Sequence, residues 1–326
     1  MGDVPQKVLQ KVAVCDFAQR DGKPAMIPAG LPIIERRPKM ISELVSQGEK
    51  PCVIALHCSL GSGRQWHKLA QELGPSYRVI APDIAGYGDN RGWLELPITL
   101  AEEIAALGDD IDQASGPVHL VGHSYGGAIA FRMATRSPFA RRIRSLTLIE
   151  PVLPTLLDID DVDRSGFARL SSHISADLGG RRDLQAIGKF LNFWNGLAPQ
   201  DLSPEARLHM VKYIEKIPFD FTAAFDEPDV AAAAASIRVP TLLLSGGQSP
   251  RLTQRIVEQL ATVIAGAETR CVSTAGHMLP ITHADLVNRE IAAHITRADD
   301  LADMGLASGL GRIGATRSRE LGAAQE

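Results

Sequence analysis

The chain has 326 residues, and its 34 basic and 38 acidic side chains leave a formal net charge of −4. Such a near balance is unlike the strongly basic composition of most nucleic-acid-binding proteins, so we expect no nucleic-acid partner. With 45% hydrophobic and 22% charged residues, the composition is that of a soluble globular protein with enough apolar material for a large core.

Cysteine usage and the apolar runs bear on the compartment. The 4 cysteines have no paired spacing, which favours reduced thiols over a disulfide framework, and no metal motif is visible. The N-terminal stretch M-G-D-V-P-Q-K-V-L-Q lacks the apolar core of a signal peptide, and no apolar run reaches membrane-spanning length. We therefore expect a cytoplasmic protein with no membrane partner, no metal and no cofactor. The sequence leaves the oligomeric state open.

The N-terminal region, residues 1–50, has the least regular pattern. Apolar residues at 31–35 and 41–45 suggest two early strands, but several prolines divide the region into short pieces. We expect an N-terminal arm and these early strands here.

A regular alternation of strands and helices extends over residues 51–151. Short, continuously apolar runs predict strands that are buried on both faces of a parallel sheet. Thr99 and Glu102 form a capping-box signature, which predicts a helix from there to about residue 112. The predicted strands lie at 52–57, 77–81, 118–122 and 145–149, and further helices at 66–73 and 128–136.

The pattern changes at residues 152–236, which contain no strand-like run. Amphipathic helices are predicted here at 160–170, 184–194 and 204–217.

The sheet pattern resumes over residues 237–298, and a loosely ordered tail is expected at 299–326. Strands are predicted at 240–244 and 269–272, and helices at 253–264 and 284–294.

This order predicts an α/β fold with a mostly parallel central sheet covered by helices on both faces. The block at 152–236 is then an inserted helical lid over the carboxyl edge of the strands, where ligands bind in open α/β sheets.

The strand at 118–122 ends in G-H-S-Y-G, residues 122–126, and a helix follows at once. A G-x-S-x-G at a strand-to-helix turn forces a strained backbone on its central residue and needs small neighbours. The turn lifts a serine hydroxyl off the sheet edge in front of a helix N-terminus. We therefore interpret Ser124 as a nucleophile.

A serine hydroxyl needs a base that takes its proton. His277, in S-T-A-G-H-M just after the last predicted strand, lies on a loop that faces the same sheet edge, so it is the favoured base. His283 starts the next helix and is a minor alternative.

The acid that orients the base has more than one candidate. A G-x-x-D after the strand at 240–244 would supply an aspartate, but Ser249 occupies that position. Glu150 is the nearest carboxylate at a strand end, one strand earlier, and is favoured. Asp226 and Asp229 are reserve candidates, and a dyad without any carboxylate stays open because loss of the acid weakens catalysis without abolishing it.

The remaining site residues follow from the loops at the same edge. The backbone N–H groups of Ser59 and Tyr125 are the expected oxyanion donors. His57, Trp194 and Asn195 are candidates for substrate contact, although His57 is more simply read as a brace for its loop and Trp194 as part of the lid core. Cys58 stands where a glycine is common, and a reactive-thiol role for it is a minor alternative.

Four motifs in this chain order resemble the α/β-hydrolase fold superfamily. They are H-C-S-L-G-S-G at 57–63, P-D-I-A-G-Y-G at 82–88, G-H-S-Y-G-G at 122–127 and A-G-H-M at 275–278. The resemblance covers roughly residues 51–298.

The resemblance implies that Ser124 is the nucleophile, that His277 is the base, and that backbone oxyanion donors follow His57 and Ser124. Some members, haloalkane dehalogenases among them, carry the acid after the sixth core strand, which matches Glu150. The G-H-S-Y-G turn at 122–126, called the elbow below, holds a serine, however, whereas dehalogenases and epoxide hydrolases use a carboxylate nucleophile.

The sequence therefore predicts a serine hydrolase. Its expected substrate is an ester, thioester or activated C–C bond of a small apolar molecule. Two alternatives stay open: a non-hydrolytic enzyme on the same scaffold (acyl transfer, perhydrolysis, a lyase reaction or cofactor-free oxygenation), and a ligand-binding sensor with weak catalysis.

Overall fold

The computed structural model describes residues 50–90, 99–114 and 116–304, and the backbone of 318–321. The early strands expected at 31–35 and 41–45, and with them the arm at 1–50 apart from its last residue, lie outside the described residues.

A single seven-stranded sheet forms the centre of the described structure, and every neighbouring pair of strands is parallel. The strand order across the sheet is β2-β1-β3-β4-β5-β6-β7. The strands are β1 Cys52–Leu56, β2 Arg78–Ile80, β3 Val118–His123, β4 Ile143–Ile149, β5 Thr241–Gly246, β6 Glu268–Val272 and β7 Ser318–Leu321.

Twelve α-helices connect or flank these strands within the described residues. None of them is both long and apolar enough to cross a membrane. They are α1 His67–Leu73, α2 Leu100–Ala106, α3 Gly108–Asp112, α4 Tyr125–Arg136, α5 Val162–Gly179, α6 Asp183–Asn195, α7 Pro204–Val211, α8 Ile217–Phe225, α9 Val230–Ala235, α10 Arg251–Val263, α11 Leu279–Thr282 and α12 Ala284–Asp303.

Short 3-10 helices make further turns of the chain. They span Gly63–Trp66, Pro138–Arg142, Pro154–Leu156, Pro199–Asp201 and Ile214–Lys216.

Strand β1 shows why the sheet is covered on both faces. All five of its residues are completely buried. Ile54 and Leu56 join the apolar layer that includes α4, whereas Val53 and Ala55 join the layer that includes α1 and α12. Successive side chains of a strand point to opposite faces, so a continuously apolar run needs a helical layer on each side. The predicted fold class is confirmed.

Two predicted helices are interrupted in the structure. The capping box at Thr99 and Glu102 is present, with both reciprocal hydrogen bonds, but α2 ends at Ala106 and α3 begins at Gly108. The helix predicted at 204–217 likewise ends at Val211. A new helix, α8, starts at Ile217 with Pro218 in its first turn, where the missing proline N–H is tolerated.

The described C-terminal residues form a long helix and a further strand. Helix α12 continues to Asp303, past the expected start of a loose tail at residue 299. The backbone of Ser318–Leu321 then pairs with β6 as a seventh strand.

The strand order also positions the site. The chain runs outward from β1 to β2 and then returns to place β3 on the other side of β1. Such a reversal opens a crevice at the carboxyl edge of a parallel sheet. Leu56 pairs in register with Gly122, so the loop after β1 and the turn after β3 leave the sheet side by side.

Candidate active site

Ser124 lies at the turn between β3 and α4, with backbone angles φ 58° and ψ −119°. A non-glycine residue with positive φ is strained, as the motif predicts. The neighbouring glycines are required by space: a Cβ on Gly122 would lie 2.4 Å from the carbonyl oxygen of Gly126, and one on Gly126 would lie 2.3 Å from that of His57. The tight packing holds the serine at the sheet edge.

The structure brings Ser124, His277 and Glu150 into one hydrogen-bonded chain. The Ser124 Oγ lies 2.9 Å from His277 Nε2, and His277 Nδ1 lies 2.6 Å from Glu150 Oε2. With Nδ1–H donating to the carboxylate, Nε2 is free to accept the serine proton. All three residues are buried. The arrangement has the geometry of a nucleophile, a base and an orienting acid.

Both carboxylate oxygens of Glu150 accept a hydrogen bond. While Oε2 accepts from His277, Oε1 accepts a 2.7 Å hydrogen bond from the N–H of Gly246 at the end of β5. Its backbone has φ 44°, a second strained position directly after β4. The side chain is completely buried and makes no contact with solvent, so these two hydrogen bonds set its orientation.

The other acid candidates do not contact His277. Asp226 and Asp229 are both exposed. Ser249 is buried, but its hydroxyl has no hydrogen-bond partner among the described residues. A Cβ on Gly246 would lie 2.8 Å from that hydroxyl, so Ser249 occupies space next to the residue that anchors Glu150.

His123, which the sequence reading passed over, supports the loop of the base. Its Nε2 lies 2.9 Å from the carbonyl oxygen of His277, and its Nδ1 lies 3.1 Å from Gln65 Nε2. Burial, together with the nearby His277, holds the pKa of His123 well below its usual value, so the ring is neutral. Gln65 also accepts from the N–H of Cys58, which links the loop after β1 to the elbow. In the sequence, only the position of His123 directly before Ser124 indicates that it lies near the site.

Ser59 and Tyr125 both line the cavity in front of Ser124. Tyr125 is the first residue of α4, so its N–H is one of the donors that a helix leaves unpaired. Within the described part of the chain, the backbone N–H groups of these two residues donate to no protein acceptor. They are available to a negatively charged oxygen.

His57 lies behind this loop and does not line the cavity. Its Nδ1–H donates to the Cys58 carbonyl oxygen at 2.7 Å, and its Nε2 accepts from the N–H of Ile84 at 2.9 Å. Burial lowers the pKa of His57, which favours this neutral, doubly bonded form. These contacts match the role of a brace better than that of a substrate ligand.

Cys58 lies at the cavity wall but is poorly suited to act as a nucleophile. Burial raises the pKa of its thiol to about 12. Because the thiolate is the reactive form of cysteine, the thiol is unreactive near neutral pH.

The cavity itself has a volume of about 40 Å³, and its walls are mostly apolar. Trp194 and Asn195 from α6 both line it. The Trp194 ring stacks on the His277 imidazole, with centroids 4.2 Å apart and planes inclined by 25°. The full lining is Cys58, Ser59, Ser124, Tyr125, Val152, Phe190, Trp194, Asn195, Asp220, Phe221, His277 and Met278.

Asp220 is the one carboxyl side chain in that lining, and it belongs to a buried ionic cluster. Lys216 Nζ contacts Asp220 Oδ1 at 2.7 Å and also bonds to Glu103 Oε1. All three side chains are at most 2% exposed. The sequence reading missed the whole group, because its members are distant in the chain and belong to no motif.

The model of the Alpha/beta hydrolase family matches residues 53–290 of the chain.

Individual relatives differ in what they do. Lipase LipV of Mycobacterium tuberculosis is 34% identical over 160 residues, covering 49% of this chain and 57% of the lipase. The chain thus spans a little over half of that relative's length. A haloalkane dehalogenase of Agrobacterium fabrum is 26% identical over 275 residues, covering 78% of this chain and 88% of the dehalogenase.

Solved structures show the same fold. The enol-lactonase from Burkholderia xenovorans superposes with a TM-score of 0.59 at 19% identity, covering 76% of this chain and 92% of the lactonase. At that identity the likeness concerns the fold alone.

Proposed function

The chain belongs to the alpha/beta hydrolase family, and from that premise we propose that it is a serine hydrolase acting through an acyl-enzyme. Its substrate is an ester, thioester or activated C–C bond of a small, mostly apolar molecule. The observation that carries the proposal is the hydrogen-bonded chain from Ser124 through His277 to Glu150, with distances of 2.9 and 2.6 Å.

In the first half of the reaction, Ser124 Oγ attacks the acyl carbon while His277 Nε2 takes the hydroxyl proton. The carbonyl oxygen becomes an oxyanion, which accepts hydrogen bonds from the N–H groups of Ser59 and Tyr125. Glu150 stabilises the imidazolium by accepting from Nδ1–H. When the intermediate collapses, His277 returns the proton to the leaving group, and the acyl group stays on Ser124.

In the second half, water replaces the leaving group. His277 takes a proton from this water as its oxygen attacks the acyl carbon, the same two N–H groups bind the second oxyanion, and the Ser124 oxygen leaves with the proton. The released product is a carboxylic acid. For a C–C substrate, the leaving carbon must carry a group that stabilises the electron pair, which is why the bond has to be activated.

The helical segment at 152–236 acts as a lid in this proposal. It contributes Phe190, Trp194 and Phe221 to the cavity wall, and Trp194 contacts the base directly. These aromatic side chains favour an apolar acyl or leaving group. The serine at the elbow separates the proposed chemistry from that of the dehalogenase relative, because the attacking group here is a hydroxyl.

A fluorophosphonate probe tests the proposal, because it reacts with a serine that is activated by a neighbouring base. We expect wild type to become labelled at Ser124, as located by peptide mass spectrometry, and Ser124→Ala to stay unlabelled. A parallel screen of p-nitrophenyl esters, thioesters, lactones and β-diketones identifies the substrate class. Equal labelling of wild type and Ser124→Ala would refute the assignment of the nucleophile.

A further inference from the structure

The two residues whose N–H groups form the proposed oxyanion hole have a second feature in common. Each also carries a hydroxyl, and each hydroxyl donates to a buried carboxylate. Ser59 Oγ donates to Asp220 Oδ2 at 2.5 Å, and Tyr125 Oη donates to Glu103 Oε1 at 2.9 Å.

One lysine joins these two carboxylates. Lys216 Nζ donates to Glu103 Oε1 and to Asp220 Oδ1, and it lies 5.1 Å from the centre of the Tyr125 ring. Tyr87 Oη adds a 2.6 Å hydrogen bond to Asp220 Oδ2. A continuous path of hydrogen bonds therefore runs from Ser59 to Tyr125 through the cluster of Asp220, Lys216 and Glu103.

The cluster joins two parts of the chain. Lys216 and Asp220 come from the helical segment, while Glu103 lies in α2 and Ser59 in the loop after β1. The sheet and the close approach of Gly126 to His57 place the Ser59 loop beside the start of α4. The cluster adds a second link between the two, through side chains of the helical segment.

Stability alone is a weak reason for such a group. Removing an ammonium and two carboxylates from water is costly, and well-packed apolar residues of similar size often stabilise a protein as much. The location of the cluster, at the hydroxyls of Ser59 and Tyr125, provides a functional reason. An oxyanion hole is effective only when its donors are fixed before the charge develops.

We propose that Asp220, Lys216 and Glu103 are positioning residues that fix the two oxyanion N–H groups of Ser59 and Tyr125. Asp220 holds the loop that carries the first donor, Glu103 holds the residue that carries the second, and Lys216 sets the distance between the carboxylates. The proposal rests on the proposed function, because it presumes that an oxyanion forms at this site.

The test uses variants that remove single links. Ser59→Ala and Tyr125→Phe delete one hydroxyl each and leave the backbone N–H in place. Asp220→Asn and Lys216→Met remove a charge from the cluster. Glu227→Gln is the matched control: Glu227 is a buried carboxylate of the helical segment that pairs with Arg132 of α4 at 2.6 Å and does not line the cavity.

Each variant is measured for kcat and KM on the best ester, for the inhibition constant of a matched trifluoromethyl ketone, and for Tm. The ketone forms a tetrahedral adduct whose oxyanion occupies the hole. A loosened hole weakens binding of the transition state and not of the substrate, so kcat and ketone affinity fall together while KM stays nearly constant.

We expect losses of about 10-fold in Ser59→Ala and Tyr125→Phe and of about 10-fold to 100-fold in Asp220→Asn and Lys216→Met, with no loss in Glu227→Gln. The double variant Ser59→Ala/Asp220→Asn should lose less than the product of the single losses, because both changes break one link.

Wild-type kcat and ketone affinity in both Ser59→Ala and Tyr125→Phe would overturn the inference. Those two variants decide the matter even if Lys216→Met does not fold. A lower Tm with unchanged kcat in Asp220→Asn would also overturn it, because the cluster would then be merely structural. The proposed function fails separately, if wild type itself neither reacts with the fluorophosphonate nor cleaves any ester.

Discussion

Two buried ionic groups contact the residues around Ser124, and they are assembled differently. The pair of Glu150 and His277 lies on loops that follow β4 and β6. Both loops belong to the sheet domain, which is the described chain outside the helical segment at 152–236. The cluster of Asp220, Lys216 and Glu103 spans the helical segment and the sheet domain. The first group is positioned by strand ends that the sheet holds in register. The second depends on the docking of a separate part of the chain, so we expect it to be the more sensitive of the two to changes in packing.

The charge balance differs as well. One carboxylate faces one imidazole in the first group, whereas two carboxyl groups share one ammonium in the second. A single negative charge suits the transient imidazolium of the reaction. The second group reaches electrical balance only when one of its carboxyls is protonated.

The largest expected effect comes from removing the charge of the first group. In Glu150→Gln the amide cannot stabilise the imidazolium and can hold the ring in the wrong tautomer, so kcat should fall by about 10⁴-fold. Steady-state kinetics on the best ester measures the loss. Glu227→Gln is again the control for replacing a buried carboxylate. A turnover near that of wild type would remove Glu150 from the mechanism and leave the cluster as the main ionic group of the site.

The second-largest expected effect is on stability and comes from the protonation of Glu103 in the cluster. Burial, with a further contribution from Asp220, raises the pKa of Glu103 to about 7, although Lys216 opposes the shift. Its Oε2 has no hydrogen-bond partner among the described residues, which adds to the cost of the ionised form. The folded state thus binds a proton more tightly than the unfolded state does, whose Glu103 has the ordinary value of 4.5.

Because the pKa of Glu103 is higher in the folded state, the protein loses stability as the pH rises. The stability that Glu103 contributes is fully present below pH 4.5 and is lost as the pH rises to about 7, a change of about 3 kcal/mol at most. Glu103→Gln does not titrate and lacks this loss. Urea unfolding of both proteins at pH 5 and pH 8 measures it: the stability of wild type relative to the variant should decline between the two. A constant difference would mean that Glu103 keeps one protonation state across this range.

The contrast between the two groups also explains what could be predicted from the sequence. The apolar runs at β1, β3 and β5 and the G-H-S-Y-G turn are local patterns, because they follow from burial on both faces and from a turn that excludes larger side chains. Glu150 was predicted because the carboxyl ends of neighbouring parallel strands meet at one edge. In the structure, Glu150 contacts His277 at this edge of the sheet.

The cluster could not be found in this way. Ser59 and Asp220 are 161 positions apart, and Lys216 and Glu103 are 113 apart. Lys216 and Asp220 have the i, i+4 spacing of an exposed salt bridge, and nothing local marks them as buried. Their burial depends on how the helical segment packs against α2 and the loop after β1, which is a tertiary property.

The smallest effect concerns the contact between the helical segment and the base. The Trp194 indole stacks on the His277 ring at 4.2 Å, so it can stabilise the imidazolium through its π face. Such an interaction contributes about 1 kcal/mol, which corresponds to a loss of about 5-fold in kcat for Trp194→Leu. Trp194→Phe keeps an aromatic face and should lose less. Rapid-mixing measurement of the acylation rate separates this effect from product release. Equal rates for the Leu and Phe variants would show that Trp194 only fills the cavity, and the helical segment would then act on the reaction through the cluster rather than through the base.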